Sequence, residues 1–522
     1  MIGIRHILEI EAWDGEQIIT LRYASGEFTT TANETPANTL IAGGIIDPGL
    51  LKYSMFSGGK TFGASSYSFG EVVLSNYKRT LDFMKGYSFD GRTIRLYEAP
   101  LGSLFPAQYT IIYTATIERI TFGIDDVKFS LKGKQLDLSV PVPSGTFAGD
   151  NVGASGVEGG EDLKGKPKPF LLGRAFNLTP IQCNTSKLIF AVSPATGVAA
   201  IYMGSLFAVY DGGLELQYEG TYVDQADMEA NAPSPGKYKV WEQGGYFRLG
   251  SSPAGVITCD AASYGRSVTA KPGNLISDLL TLVGADYNAA SINALNAGFR
   301  AECGVFLGNG EPVSAALDLI CSACGAYWYF DANGTLFVGQ FVDPVNAVSD
   351  YTINTGSTIV SKATIKSTQD TQGGIPAHIV TLLRSKNETT QTEVFGRVTE
   401  ARKVWLKEQW RKTQIVNPEV KTNHPLSEEL KIETSLTQEN TEEATRRAAL
   451  YSVQRDLIDI DVPIDTFGHT SNIRPGMIVT LVLEDTTTQV LLHRFGYVSK
   501  KMAVVGYIEN RISEKLTLSL WG

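Results

Sequence analysis

Alternation of apolar and polar positions dominates the first 140 residues. Over 109–118, Ile111, Tyr113, Ala115 and Ile117 fall on one side, with Thr114, Thr116 and Glu118 on the other. Val127, Phe129 and Leu131 alternate in the same way with Lys128, Ser130 and Lys132, and Leu136, Leu138 and Val140 continue after Gly133. A period of two residues is that of a strand with one buried and one wet face. Phe89-Asp90-Gly91-Arg92 supplies a turn before a strand over 93–98. Residues 1–140 are therefore predicted to form an all-β domain, an antiparallel sandwich or barrel.

The pattern then breaks. Residues 141–169 carry Pro141, Pro143, Pro167 and Pro169 among seven glycines between Gly145 and Gly165, with few side chains suited to a core. This stretch reads as a linker. Residues 170–265 return to a β pattern, with apolar runs at 188–192 and 207–210, and predict a second, β-rich domain. Near Pro272 helical spacing takes over. Asn274 is placed to cap a helix carrying Leu275, Ile276, Leu279, Leu280 and Leu282, and Pro312 to open another carrying Val313, Ala316, Leu317 and Ile320. The tetrapeptide Asp331-Ala332-Asn333-Gly334 between apolar runs predicts a hairpin, which makes 266–345 a small α/β domain. Residues 346–459 mix polar, Thr-rich strands with a helix predicted at 441–456. Its capping box is Asn440 with Glu443, and Arg446, Arg447 and Arg455 are predicted to be solvated. Residues 460–522 read as strands, at 478–483, 504–508 and 516–520. No period of 20–50 residues repeats, which disfavours solenoids and propellers.

Composition narrows the function classes. With 522 residues, 43% of them hydrophobic, the chain has material for several packed domains and is not disordered. Its formal charge of −10 gives no global attraction to nucleic-acid phosphate or anionic lipid. Five cysteines, an odd and sparse set, do not read as a disulfide framework, and neither a signal peptide nor an 18-residue apolar run is present. The expectation is a protein made and kept reduced in a cytoplasm, without stable membrane insertion.

The chemical motifs are each better explained by packing. Cys321-x-x-Cys324 puts two sulfurs on one helical face, but zinc needs two further ligands and none stands at a matching spacing, so packed free thiols are expected. Gly308-Asn309-Gly310 follows an apolar strand and precedes a helix, yet Val313 replaces the third glycine of a dinucleotide loop and Glu311 would repel a pyrophosphate. Gly58-Gly59-Lys60-Thr61 imitates the end of a phosphate loop, but Ser54 stands where its first glycine belongs. The string Gly153-Ala154-Ser155-Gly156-Val157 fails as a nucleophile elbow, and His6, His378, His424, His469 and His493 are scattered. Asp125 and Asp126 would point to opposite faces of a strand, which suits no paired-carboxylate mechanism. Arg402, Lys403, Lys407, Arg411 and Lys412 interleave with Trp405 and Trp410 in a mix that could stack bases, or else bury its tryptophans and solvate its charges. No catalytic, cofactor-binding or metal-binding residue is assigned, and no cofactor is called for.

The order of the pieces carries more information. Phe89-Asp90-Gly91-Arg92, the strands ending in Leu131-Lys132-Gly133-Lys134-Gln135-Leu136-Asp137, and the run from Leu163-Lys164-Gly165-Lys166-Pro167 to Leu172-Gly173-Arg174 resemble the N-terminal half of tail-tip proteins of tailed phages. The helix and hairpin over 315–339, with Ala326-Tyr327-Trp328-Tyr329-Phe330-Asp331, are similar to the central part of baseplate hub proteins. Asn472-Ile473-Arg474-Pro475-Gly476-Met477-Ile478-Val479 and the ending Leu520-Trp521-Gly522 resemble the C-terminal hub barrel. The stretch 175–262 matches least. Some siphophage tip proteins carry an iron–sulfur cluster on a C-terminal cysteine group; no cysteine follows Cys324, so the resemblance does not extend to that cluster.

The resemblance implies a non-enzymatic structural protein of the virion, at the distal end of the tail and assembled in the host bacterial cytoplasm. It implies a mainly β, multidomain α+β fold with two similar β-barrel hub domains at the chain ends, 1–140 and 460–522. Three chains of two barrels would match the sixfold tail tube. The partners implied are two further copies of the chain, a tail tube or distal tail protein ring, the tape measure protein, other tail-tip or receptor-binding proteins, and phage DNA in passage. If acidic side chains line the lumen, they would let DNA slide. The alternatives are a host-receptor or glycan-binding tail-tip protein, read from the aromatic stretch 170–262, and a cell-wall hydrolase, for which no motif speaks.

Overall fold

The computed structural model describes residues 3–56, 65–142, 145–194, 205–263, 270–354, 362–367, 374–468, 472–482 and 499–522. The chain is mainly β, with several sheets and several cores. Among the described residues no helix is long and apolar enough to cross a membrane.

The N-terminal sheet has nine strands built around Ile4–Trp13, Ile18–Ala24, Thr93–Pro100, Thr110–Phe122 and Asp126–Lys132. The predicted alternation holds in the last of these: Val127 and Phe129 are fully buried in the core with Leu8, Ile10, Ile94 and Leu96, while Lys128 and Ser130 are not buried. The turn before Thr93 forms as predicted, with Arg92 N–H donating to Phe89 O at 3.0 Å and Gly91 at φ +73°. Two expectations need correction. A register shift between Ile111 and Tyr113 breaks the period of two, so Thr114, predicted to be wet, is buried. The strand predicted to continue after Gly133 is instead a short 3-10 turn, Lys134–Leu138, which sinks Leu138 into the central core and leaves Val140 exposed.

The C-terminal sheet has eight strands and draws on both ends of the chain. Lys362–Ser367, Asp456–Pro463, Lys515–Trp521, Ser499–Asn510, Ile478–Val482 and Tyr351–Asn354 lie side by side in that order. Along one edge Ser499–Asn510 pairs with Lys515–Trp521, from Ala503↔Trp521 to Asn510↔Lys515. Its other edge is shared: the first half pairs with Ile478–Val482 and the second half with Leu50–Ser54, from Gly506↔Ser54 to Asn510↔Leu50. Leu50–Ser54 in turn pairs with Ser66–Phe69. Asp456–Pro463 runs across the expected 459/460 boundary. Pairings that would close either end sheet into a barrel are not among those of the described residues.

Between the ends, two five-stranded sheets span the β-rich region. One contains Phe170–Leu178, Ser205–Asp211 and Ile257–Ser263, and borrows Gly304–Leu307 from the helical region. The backbone crosses closely there: Gly173 has φ +71°, and a Cβ on it would lie 2.1 Å from Cys303 O. The Gly/Pro-rich stretch is not the free linker its composition predicted. Phe147, Val157 and Leu163 are buried against Cys183, Ile189, Met228 and Tyr246, because its frequent turns fold it back onto the second sheet.

The helices fall at Pro272–Leu282, Ala289–Gly298 and Val313–Ser322, and the hairpin Ala326–Phe330 with Leu336–Gln340 follows. Asn274 lies inside the first helix, whose cap position is Lys271 with Pro272 in the first turn. The later helix, Thr441–Tyr451, is capped by the Asn440 side chain accepting from Glu443 N–H, and ends five residues earlier than predicted.

Candidate functional site

The sequence-derived candidates are mostly absorbed by packing. All five cysteines are free and buried. Burial pushes the thiols of Cys303 and Cys321 far up and that of Cys324 up to about 12, so none is poised as a thiolate. Among the described residues no group of three or more His, Cys, Asp or Glu could hold a metal ion. Gly308–Gly310 is a turn closed by Glu311, whose carboxylate accepts from Asn309 N–H at 3.1 Å. Val152 and Ser155 exchange backbone hydrogen bonds in a tight turn that projects no nucleophile from a strand. Asp126 pairs with Lys128 at 3.6 Å. His378 contacts Ser427 Oγ at 3.1 Å, and His424 is half-buried. His469, His493 and residues 58–61 lie outside the described residues.

The basic, Trp-containing stretch is a helix, Glu400–Lys407, followed by a strand, Arg411–Val416. Its charges turn inward as well as outward. The Arg402 guanidinium lies 4.1 Å from the Tyr210 ring centroid and 4.4 Å from that of Trp405, and Arg411 lies 4.6 Å from Trp405. Trp405 also meets Phe176 edge-on, which ties the segment to the strands Ser205–Asp211 and Phe170–Leu178. Lys403 pairs with Glu400 and Arg411 with Glu408. This is cation–π mortar between parts of the fold rather than a platform left open for bases.

Two buried charge clusters were missed by the sequence reading. In the first, Glu443 accepts from Arg446 Nε at 2.7 Å and from Arg447 Nε at 2.6 Å. Burial opposes the Glu443 charge, but the two guanidiniums outweigh it and hold its carboxyl below the usual range. Arg455, also predicted to be solvated, is buried on Asp343 at 3.1 Å and stacks over Trp521. The prediction of three solvated arginines is thus corrected: Arg447 and Arg455 are buried and Arg446 is half-buried, because they also meet Ser322 O, Asp343 and Cys324 O respectively, groups far away in the sequence.

The second cluster joins the two end sheets. Arg511 sits in the turn between Ser499–Asn510 and Lys515–Trp521, and reaches Glu98 on the N-terminal sheet and Glu509 at 2.7 Å. His6 Nε2 lies 2.9 Å from Glu98 Oε2. The side chains of Glu98, Glu509 and Arg511 are at most 4% exposed. Burial works against the Glu98 charge, yet the His6 hydrogen bond and Arg511 hold its carboxyl below the usual range. The signal for Glu98 was available: it shares strand parity with Ile94 and Leu96, so an inward carboxylate was implied and so was a cation to meet it. Nothing nearby in sequence said that the cation stands 413 positions away.

No protein-family model matches the chain, and no curated protein matches its sequence. Among solved structures it is similar to a tail protein from Neisseria meningitidis MC58, at 10% identity over 100% of this chain and 97% of that chain, with a TM-score of 0.37. It is similar to the 43 kDa tail protein of prophage MuSo2 from Shewanella oneidensis, at 10% identity over 99% and 98% of the two chains, with a TM-score of 0.41. It is also similar to the prophage tail protein gp18 from Listeria monocytogenes EGD-e, at 8% identity over 98% and 94%, with a TM-score of 0.33. Likeness this distant assigns no role to any residue of this chain.

Proposed function

We propose that this chain is a structural protein of a phage tail: a baseplate hub at the distal end, assembled from three copies, that closes the tail tube and forms part of the DNA exit channel. One observation carries the reading. The resemblance in sequence requires the two ends of each chain to stand side by side as one ring-forming body. Here Leu50–Ser54 completes the C-terminal sheet, and Arg511 is buried on Glu98 of the N-terminal sheet. A protein whose two ends are knitted together presents a rigid double unit, which suits the sixfold-to-threefold match of a hub. The net charge of −10 supports an acidic lumen that repels DNA phosphate.

The test is immunogold electron microscopy of phage particles from the source culture with antibody against this chain. Gold confined to the far end of the tail supports the hub. Gold on fibres or heads, or none on any particle, overturns it. A structure of the assembly with a lumen lined by Lys and Arg would sink the electrostatic part alone.

A further inference from the structure

Two strands part at a fork beside the helix Val313–Ser322. On one side Gly304–Leu307 pairs with Phe170–Leu178. On the other side it starts a ladder with residues 435–437: Gly304 N–H donates to Ser435 O at 2.9 Å, Thr437 N–H to Glu302 O at 3.3 Å, and Cys303 bridges Leu436. The ladder then stops. Glu429–Glu433 diverges to pair in parallel with Ile379–Arg384. Between the parted strands lies a cleft of about 140 Å³, lined among others by Phe306, Leu319, Trp410, Arg174, Lys386 and Glu433.

The main-chain groups of both walls can be followed by alternation. In an antiparallel pair, successive residues turn their N–H and C=O to opposite sides. Gly304 N–H points away from Phe170–Leu178, so Phe306, two residues on, also turns its N–H and C=O away and into the cleft. Leu171, opposite Phe306, agrees with this parity by giving its own N–H to Ser193 Oγ at 3.1 Å. On the other wall, Thr434 N–H donates to Leu383 O at 2.9 Å and Ser435 N–H to Ser322 Oγ at 3.0 Å. Glu433 shares the parity of Ser435 and faces the cleft. Among the described residues neither Phe306 nor Glu433 has a main-chain partner on that side.

We propose that this fork binds an extended peptide segment of a partner protein, which pairs with Phe306 on one wall and Glu433 on the other. Unpaired main-chain donors and acceptors at strand spacing are matched by another strand. The volume is about that of a cavity that takes benzene, so it seats one large apolar side chain against Phe306 and Leu319, which is 45% exposed. Lys386 pairs with Glu388 at 2.6 Å, and Arg174 and Glu433 add one charge of each sign, so the rim offers no net charge to an anion. The inference does not depend on the hub reading.

The test uses the full chain and a blocked pentapeptide, Thr-Val-Phe-Val-Thr, at about 5 mM to reach a weak site, beside its fully N-methylated counterpart. Amide hydrogen exchange followed by mass spectrometry is the readout. The plain peptide slows exchange about threefold or more in fragments holding Phe306 and Glu433, and the methylated one does not. Leu319→Arg, a change at an exposed position, abolishes the effect while exchange over Thr93–Pro100 stays as in the parent. Equal effects of both peptides, or no slowing by either, overturn the proposal.

Discussion

Replacing Arg511 by Met tests the joint between the end sheets. The guanidinium is the shared partner of Glu98 and Glu509, and all three side chains are at most 4% exposed. Without it Glu98 and Glu509 stay buried, and Glu98 keeps the contact from His6 at 2.9 Å. Removing one member of a buried ion pair costs about 3–5 kcal/mol, chiefly the desolvation of the charge left behind. A chain with several cores does not unfold in one step, so the effect is best read locally. Three kcal/mol corresponds to about 100-fold faster amide exchange over Thr93–Pro100 and Ser499–Asn510, with Ile379–Arg384 unchanged.

The pH dependence gives a second sign. In the parent the Glu98 carboxyl is held below its ordinary 4.5. A group depressed in the fold stabilises above its unfolded value, and that contribution fades as pH falls through the folded value. In Arg511→Met burial is opposed by the His6 contact alone and the carboxyl rises from its parent value, so protection should recover on moving from pH 7 towards pH 5. Glu98→Gln/Glu509→Gln/Arg511→Met, which removes the charges together, should regain most of the loss. A change under about threefold in Arg511→Met, or a triple variant worse than the single one, would refute the reasoning.

Three further outcomes follow from the packing. Glu443→Gln strips Arg446 and Arg447 of their shared carboxylate and should cost about 3–5 kcal/mol, seen as faster exchange and proteolysis across Thr441–Tyr451. All five thiols should resist a thiol-specific reagent at pH 8 in the native protein and all five should react in urea; one fast native thiol contradicts their burial. Gly173→Ala forces a Cβ to 2.1 Å from Cys303 O at φ +71°, whereas Gly165→Ala has the same backbone strain, φ +75°, in open space. The first should lose about 2 kcal/mol or more beyond the second in denaturant melts followed by local exchange.

What the sequence made legible was local. Period-two alternation located Asp126–Lys132, Pro312 located the helix Val313–Ser322, and Asp331–Gly334 located the hairpin, because each depends on neighbours a few residues away. Three failures share one cause. Arg447 and Arg455 read as solvated because Ser322 O and Asp343, which meet them in the interior, lie on other elements. The stretch holding Phe147 read as a linker because turns alone do not say what they fold against. The alternation over 109–118 faltered at a register shift against the neighbouring strand, between Ile111 and Tyr113. The candidate site was the least legible, since Glu98 announced a buried charge without naming its partner.

The pairing of Leu50–Ser54 with Ser499–Asn510 also sets a timetable. About 450 residues separate these strands. At synthesis rates of about 5–20 residues per second, the first waits roughly 20–90 s for the second to be made. Throughout that interval one of its edges stays open and Glu98 lacks its guanidinium. A nascent chain stopped before Ser499 never closes that edge, and open edges recruit other strands or proteases. The hairpin Ser499–Trp521 therefore acts as a checkpoint, because a chain that stops short of it cannot finish the sheet to which Leu50–Ser54 belongs.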